Sequence, residues 1–167
     1  MPRVGIKGQS YLNKGTHTTP AWKRAKILRD LTLAMSKAEV QVKNKGSMFV
    51  EYLTGLIDVP LDCECDWEPG DPVFDAMQEA YWSEEPLEFL ILDGGIRKKG
   101  AQGLRANFIV TKFERGEPME DVMSTAVSLR LSAESNDKPQ WVKIGTNGTI
   151  EVVGEFGEDP DNEPATT

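Results

Sequence analysis

The chain has 167 residues, 39% of them apolar, which suits one folded domain with a single hydrophobic core. Its formal net charge of -8 at pH 7 excludes a protein that binds nucleic acid through a basic surface. No stretch approaches the roughly 20 apolar residues that span a bilayer, and residues 1–12 lack the apolar run of a signal peptide. We therefore expect a protein that is made and kept in a soluble compartment.

Charged residues are segregated along the chain in blocks of one sign. Residues 1–45 hold ten Lys or Arg against two acids, and residues 46–95 hold thirteen Asp or Glu and no base. Residues 96–115 carry six bases against one acid, and residues 151–167 carry six acids and no base. Such blocks either pair within one fold or place opposite charges on different surfaces, which favours head-to-tail association of copies.

The first part of the chain predicts strands. Residues 4–12 alternate loosely and indicate an opening strand, before a loop at 13–20 rich in Gly, Thr and Pro. Residues 22–33 fit a helix or a strand by spacing, and their β-rich surroundings favour a strand. Further strands are predicted at 38–43, 49–56 and 59–67, with a turn at 44–47.

One helix is signalled clearly after the turn Pro69-Gly70. Asp71 is suited to cap the helix by accepting backbone N–H groups, and Pro72 occupies the first helical position, where a missing donor costs nothing. Apolar residues then follow at helical spacing up to about Trp82, namely Val73, Phe74, Met77, Ala80 and Tyr81. The pattern predicts a short helix packed on a sheet.

The second half returns to strands. Residues 87–92 are almost all apolar and predict a strand buried on both faces. The Gly-rich, basic stretch 93–103 has no P-loop spacing, so a flexible loop is expected rather than a phosphate cradle. Residues 104–115 and 121–131 alternate as a pair of long strands with one dry and one wet face, connected through 116–119.

The last predicted element is a hairpin. Residues 141–145 and 149–156 flank Asn147-Gly148, a strong signal for a type I′ turn. Residues 157–167 are acidic and poor in apolar side chains, which predicts a mobile tail. We therefore expect a mainly β domain over residues 1–156, an antiparallel β-sandwich or partial barrel with one short flanking α-helix.

No catalytic pattern is visible. The only histidine, His17, lies in a Thr-rich loop without a nearby nucleophile, and we expect it to be solvated. Cys63 and Cys65 would point to the same face of a strand as half-buried structural thiols, since strand geometry disfavours a disulfide between them. The alternating acids Asp62, Glu64 and Asp66 would form a solvated acidic edge on the other face. The sequence predicts no enzymatic activity, no cofactor and no metal site.

Several short segments between residues 28 and 131 occur in a recognisable order and spacing. They are 28–33, 38–42 with 45–47, 55–58, 65–69 leading into Phe74, 103–106 with 110–113, and 116–122. Together they resemble the tail tube (major tail) proteins of long-tailed bacteriophages and related prophages. The resemblance covers most of the expected domain.

The resemblance implies a subunit that assembles into hexameric rings, which stack as a tube through which DNA passes. It implies a virion component, assembled in the bacterial cytoplasm, whose partners are copies of itself and other tail proteins such as the tape measure and tail-tip proteins. DNA would be met only in transit and not bound tightly, and no membrane is involved.

Two sets of residues are predicted to serve this assembly. The subunit interface would use a basic loop with apolar anchors and acids of the helix region: Lys43, Lys45, Met48, Phe49, Glu79, Glu84 and Glu85. The lumen would be faced by polar residues of the long strand pair: Arg105, Asn107, Thr111, Ser128 and Arg130. With these assignments, the charge blocks favour head-to-tail stacking.

Two alternatives stay open. The chain could be a monomeric β-rich binding module whose charge blocks pair internally. It could also be the tube protein of a contractile injection or secretion system, which the sequence does not separate from a phage tail tube.

Overall fold

The computed structural model describes residues 1–134 and 137–155, so the predicted acidic tail at 157–167 lies outside the described residues. Within them the fold is mainly β and antiparallel, with one α-helix and short 3-10 turns at Gly5–Lys7 and Thr146–Gly148. The predicted fold class is confirmed. The strands are β1 (Gln9–Asn13), β2 (Trp22–Arg24), β3 (Leu28–Leu33), β4 (Ser36–Val42), β5 (Glu51–Asp58), β6 (Leu61–Asp66), β7 (Leu87–Leu92), β8 (Gln102–Gly116), β9 (Ser124–Leu131), β10 (Gln140–Ile144) and β11 (Ile150–Glu155), and the helix is α1 (Pro72–Ser83).

Most strands form one curled sheet in the order β2-β1-β7-β8-β9-β6-β3, and β10 pairs with both β8 and β11. The end strands β2 and β3 are joined by residues 25–27 alone, which span no more than about 14 Å. The Ala25 N–H donates to the carbonyl of Ser10 in β1 (2.9 Å), and the Asp66 N–H of β6 donates to the carbonyl of Ile27 (3.0 Å). The two ends of the sheet therefore approach each other without closing a barrel.

This connection corrects the prediction of one strand over residues 22–33. The chain breaks the strand where it crosses between the two ends of the sheet, burying Ala25 and Ile27 in the core. The predicted strand at 4–12 is also shorter, because it begins at Gln9 after the 3-10 turn. The other predicted strands are confirmed, with boundaries within three residues.

The main core fills the inside of the curled sheet. Helix α1 buries Val73, Phe74, Met77 and Ala80 against it. The Phe74 ring packs edge-on against Trp67 and Phe113, with ring centroids 5.1 Å and 5.7 Å apart. Strand β7 is buried on both faces, as predicted.

The helix begins as the sequence predicts. The Asp71 carboxylate accepts hydrogen bonds from the backbone N–H groups of Val73 (2.9 Å) and Phe74 (3.2 Å), and Pro72 opens the first turn. The helix ends at Ser83, and the next residue, Glu84, has a left-handed φ of 60° and donates its N–H to the Ala80 carbonyl.

A second, smaller core covers the other face of the sheet near β7 and β10. Its buried members are Tyr11, Leu90, Leu92, Ala101, Val142 and Ile144. The long strand pair was predicted to keep one buried and one solvent-facing side. This holds where β8 pairs with β9, whereas the part of β8 that pairs with β10 is covered on both faces. The β10–β11 hairpin is confirmed, and Asn147 and Gly148 both have positive φ, as a type I′ turn requires.

Candidate assembly surfaces

Four neighbouring strands present a polar face to solvent. They are β3, β6, β9 and the second half of β8 (108–116), and we call them the panel. The strand register places these side chains on the panel's outer face: Asp30, Thr32, Asp62, Glu64, Asp66, Lys112, Glu114, Ser128 and Arg130. With Arg29, which pairs with Asp66, the charged members are five acids and three bases, so the face is acidic.

Ion pairs link neighbours on this face. Lys112 Nζ lies 2.7 Å from Glu114, and Arg130 lies 3.5 Å from Asp62. The hydrogen bond between Lys112 and Glu114 lowers the pKa of the carboxyl and raises the pKa of the lysine. A bulge at Thr111 shifts the register, so Lys112 lies opposite Ser128, while the Thr111 hydroxyl donates to the Ser128 carbonyl (3.1 Å).

Both borders of the panel lack a partner strand among the described residues. Strand β3 pairs only with β6, on one side. Strand β7 pairs with β8 only up to Phe108, so the 109–116 segment of β8 pairs with β9 alone. Such borders expose unpaired backbone N–H and C=O groups that favour pairing with another chain.

Strands β4 and β5 form a separate two-stranded ribbon, which we call the arm (36–58). The arm continues the β3–β6 hairpin in the same register, since Leu33 pairs with Leu61 and Ser36 with Asp58. It is exposed almost throughout. Its large exposed apolar side chains include Val40, Leu53, Leu56, Met48 and Phe49, the last two 101% and 82% exposed.

The predicted interface residues lie at two separate places. Lys43, Lys45, Met48 and Phe49 are at the arm tip (43–50), where the Asn44 side chain accepts from the Gly46 N–H (2.7 Å) and confirms the predicted turn. Neither lysine forms an ion pair with another described residue.

The acidic members are exposed on and just after α1. Glu79 lies on the helix, and Glu84 and Glu85 follow its end. Trp82, 76% exposed, lies among them and stacks edge-on with Tyr81 at 5.3 Å. Trp82 was not singled out from the sequence, because its spacing places it at the border of the apolar helix face.

Two lumen candidates lie beyond the panel on the first half of β8. Arg105 has a side chain only 11% exposed and pairs with the nearly buried Glu88 (Nη2 to Oε1 3.0 Å). Asn107 is half-buried on the same face. Ser128 and Arg130 lie on the panel's outer face, and the lumen assignments stay predictions.

The prediction of a solvated His17 is wrong. Its Nδ1 contacts the Glu88 carboxylate, and its carbonyl accepts a hydrogen bond from Arg105 (2.7 Å). The physical reason is that the carboxylate of Glu88, 7% exposed, needs partners, and Asn13 donates to it as well (2.8 Å). No local sequence pattern links residues so far apart.

His17, Glu88 and Asp137 bring three possible ligand atoms within 4.8 Å of one another. The guanidinium of Arg105 already donates two hydrogen bonds to Glu88 and lies 3.3 Å from His17 Nδ1. A metal ion would therefore stand beside a fixed positive charge, and the cluster is better described as an ion-paired support for the 13–20 loop.

The thiols lie where the sequence placed them, on one face of β6, with the acids on the other. Cys63 and Cys65 are free and buried, more deeply than expected. Burial raises the pKa of the Cys63 thiol to about 12 and that of Cys65 to about 11. Neither thiol is poised for nucleophilic chemistry at neutral pH.

No helix among the described residues is long and apolar enough to cross a membrane. No protein-family model matches the sequence, and no curated protein matches it. Solved structures, however, share its fold.

The tail of an empty gene transfer agent (GTA) particle, with C6 symmetry, is similar over 79% of this chain and 96% of that one, with 15% identity and a TM-score of 0.64. The SPP1 tail tube matches 78% of this chain and 76% of that one, with 12% identity and a TM-score of 0.62. The sheath-tube complex of an extracellular contractile injection system, PVC, matches 86% of this chain and 93% of that one, with 9% identity and a TM-score of 0.57.

The fold is therefore that of tube-type β domains found in phage tails and contractile injection systems. More particularly, the chain has a tail-tube fold, which confirms the resemblance seen in its sequence.

Proposed function

We propose that this chain is a structural subunit that assembles into stacked hexameric rings and so forms a tail tube through which DNA passes. The panel carries the proposal, because it combines a solvent-facing polar surface with two unpaired borders. A subunit built this way has sheet edges to be covered and a face suited to a water-filled channel.

The two borders are compatible with each other. Three antiparallel pairings separate β3 from β8, so the two strands run in opposite directions. Strand β3 of one copy is thus oriented to pair antiparallel with the 109–116 segment of β8 in the next. Repeated around a ring, this pairing closes a barrel without edges, and the C6 symmetry of the GTA tail supports six copies.

The outer face of the panel would then line the channel. The opposite face is covered by the core and α1, which leaves the polar face for the lumen. Its excess of acids would keep DNA from adhering during passage. Ser128 and Arg130 suit this role best among the predicted lumen residues, whereas Arg105 is engaged with Glu88.

Stacking of rings would use the arm. Its exposed apolar side chains and the lysines of its tip suit an adjacent subunit, and Glu79, Glu84 and Glu85 are acidic counterparts on the same chain. Head-to-tail contacts between opposite charges should weaken as salt is raised.

The role proposed here is non-enzymatic and needs no cofactor or metal. The subunit would act in the virion after assembly in the bacterial cytoplasm, with copies of itself and with tape measure and tail-tip proteins as partners. DNA would pass through without tight binding.

A second candidate is the tube of a contractile injection system, supported by the likeness to the PVC sheath-tube complex. Antibody labelling of particles from the producing bacterium separates the two. Label on tails attached to DNA-filled heads supports the phage tube, and label confined to headless sheathed particles supports the alternative.

Electron microscopy of the purified chain at increasing concentration tests assembly itself. We expect rings or tubes, whereas small monodisperse particles at all concentrations would contradict the proposal and favour a monomeric binding module. Lys43→Glu/Lys45→Glu should impair polymerisation, and Lys98→Glu/Lys99→Glu, on another exposed basic loop, is the matched control. Retardation of DNA at physiological salt would contradict the transit role.

A further inference from the structure

We propose that the arm tip of one copy docks on the exposed Trp82 end of helix α1 in the next copy. This inference rests on the proposed tube and names the partner surface within it. The receiving surface, which we call the Trp82 patch, consists of Asp75, Gln78, Glu79, Trp82, Ser83, Glu84 and Glu85.

The first observation is the exposure of Trp82. Its indole is 76% exposed on a helix whose opposite face is buried. Tryptophan supplies a large contact area and is enriched among the residues that dominate binding energy at interfaces. Within the subunit, the Tyr81 ring packs edge-on against it.

The second observation is the charge at this helix end. The carboxyl end of a helix carries partial negative charge and is stabilised by basic residues, yet the last turn of α1 has none. Glu79, Glu84 and Glu85 add full negative charges instead. A positively charged partner would relieve this unfavourable arrangement.

The third observation is the backbone of Glu84. Its φ of 60° is left-handed, at the position after a helix where glycine is preferred because it has no Cβ. The fold alone would favour glycine here. The presence of a carboxylate in this conformation points to a use for the side chain outside the subunit.

The arm tip complements the patch in both respects. Lys43 and Lys45 supply positive charge without an ion-pair partner among the described residues, and Met48 and Phe49 are almost fully exposed. The arm tip therefore offers lysines for the carboxylates and apolar side chains for the indole.

Lengths and directions agree with this pairing. The arm leaves the panel at the end where β6 begins, while α1 follows the end of β6 and so starts at the opposite end. The helix then runs back toward the arm end, since Tyr81 and Trp82 line a groove with Ile109 and Val110.

In a head-to-tail stack, the arm of one copy would extend along the next from the end where α1 starts. The seven residues of β4 span about 23 Å, and the twelve of α1 about 18 Å. The arm tip would thus arrive near the carboxyl end of the helix, where Trp82 lies.

Mutations of the patch test the docking. Trp82→Ala should raise the critical concentration for tube formation at least about tenfold. Val153→Ala, on a 62% exposed apolar side chain of β11, should leave it unchanged. Glu84→Gly should raise the melting temperature of the unassembled subunit and yet weaken assembly. If Glu84→Gly raised the melting temperature and also improved tube formation, that result would argue against the docking.

Cross-linking tests the contact directly. Val50→Cys combined with Ser83→Cys, which lie beside Phe49 and Trp82 and leave both in place, should give a ladder of disulfide-linked chains when tubes are oxidised, because each link joins two copies. The buried native thiols should not contribute. Val50→Cys with Met119→Cys, in the exposed turn between β8 and β9, is the matched pair and should give no ladder.

The outcomes separate this inference from the proposed function. Tubes that form normally with Trp82→Ala, and a ladder from the Met119 pair instead of the Ser83 pair, would overturn the docking and leave the tube proposal intact. Failure of the unmodified chain to polymerise under any condition would overturn both. Restored polymerisation when Lys43→Glu/Lys45→Glu is mixed with Glu84→Lys/Glu85→Lys would support the docking.

Discussion

Arg105 and Glu88 form an ion pair within the fold, with Nη2 3.0 Å from Oε1 and side chains 11% and 7% exposed. Arg105 also donates to the carbonyl of His17 (2.7 Å) and lies over the Trp22 ring, 5.2 Å from its centroid. The pair thereby fastens the 13–20 loop and β2 to the neighbouring strands β7 and β8.

Removing Arg105 should destabilise the subunit strongly. Arg105→Met keeps much of the side-chain volume but leaves the Glu88 carboxylate without its cation, which costs about 3–5 kcal/mol for a buried pair. Urea denaturation of the unassembled subunit measures the free energy of unfolding.

The control is Arg130→Met on the panel. Arg130 lies 3.5 Å from Asp62 in an exposed pair, so this change should cost no more than about 1 kcal/mol. If Arg105→Met and Arg130→Met lowered the free energy of unfolding equally, burial of the Arg105 pair would have no energetic consequence.

The sequence predicts well those features that depend on neighbouring residues. The Asp71 cap and Pro72 define the start of α1, and the positive φ values of Asn147 and Gly148 follow from residues that tolerate them. The same holds for Cys63 and Cys65, whose common face follows from strand alternation. Each of these signals lies within a few residues.

Features that depend on distant partners could not be predicted. Arg105 alternates like a solvent-facing residue, and only the approach of Glu88 and the His17 loop buries it. The break after Arg24 arises because the chain crosses between the ends of a curled sheet. Neither contact leaves a local pattern in the sequence.

Gly103 should be irreplaceable at the junction of the two cores. A Cβ at this position would lie 1.6 Å from the backbone carbonyl oxygen of Ile91, and backbone cannot yield as a flexible side chain can. Gly103→Ala should therefore cost more than about 4 kcal/mol and yield little folded protein.

Gly154→Ala is the control for this prediction. Nothing lies within 4 Å of a Cβ at Gly154, and its φ is not positive, so the substitution should be tolerated. Circular dichroism and thermal melting compare the two variants. A cooperative melt of Gly103→Ala close to that of the unmodified chain would contradict the close approach.

The buried thiols should make stability fall at alkaline pH. Burial raises the pKa of Cys63 and Cys65 from the ordinary value of 9.0 to about 12 and about 11. Between pH 9 and 12 the unfolded chain loses thiol protons that the folded chain keeps, so rising pH favours unfolding. Below pH 9 the thiols stay protonated in both the folded and the unfolded chain, so their full contribution to stability is present.

A comparison with Cys63→Ala/Cys65→Ala isolates this effect from other groups that titrate at high pH. The difference in free energy of unfolding between the two proteins should be constant below pH 9 and should change in favour of the variant above it. In addition, iodoacetamide at pH 8 should label the unfolded chain and not the folded one, and rapid labelling of the folded chain would refute the burial.

The arm should become ordered by assembly. An isolated two-stranded ribbon is marginally stable in water, and β4 and β5 bury few side chains within the subunit. Their amide hydrogens should therefore exchange quickly in the unassembled chain, whereas those of β6, which continues the same hairpin into the core, should exchange slowly. In tubes, exchange of the arm should slow markedly while that of β6 changes little. Hydrogen exchange with mass spectrometry follows both segments in one experiment, and an arm that stays unprotected in tubes would show that it takes no part in stacking.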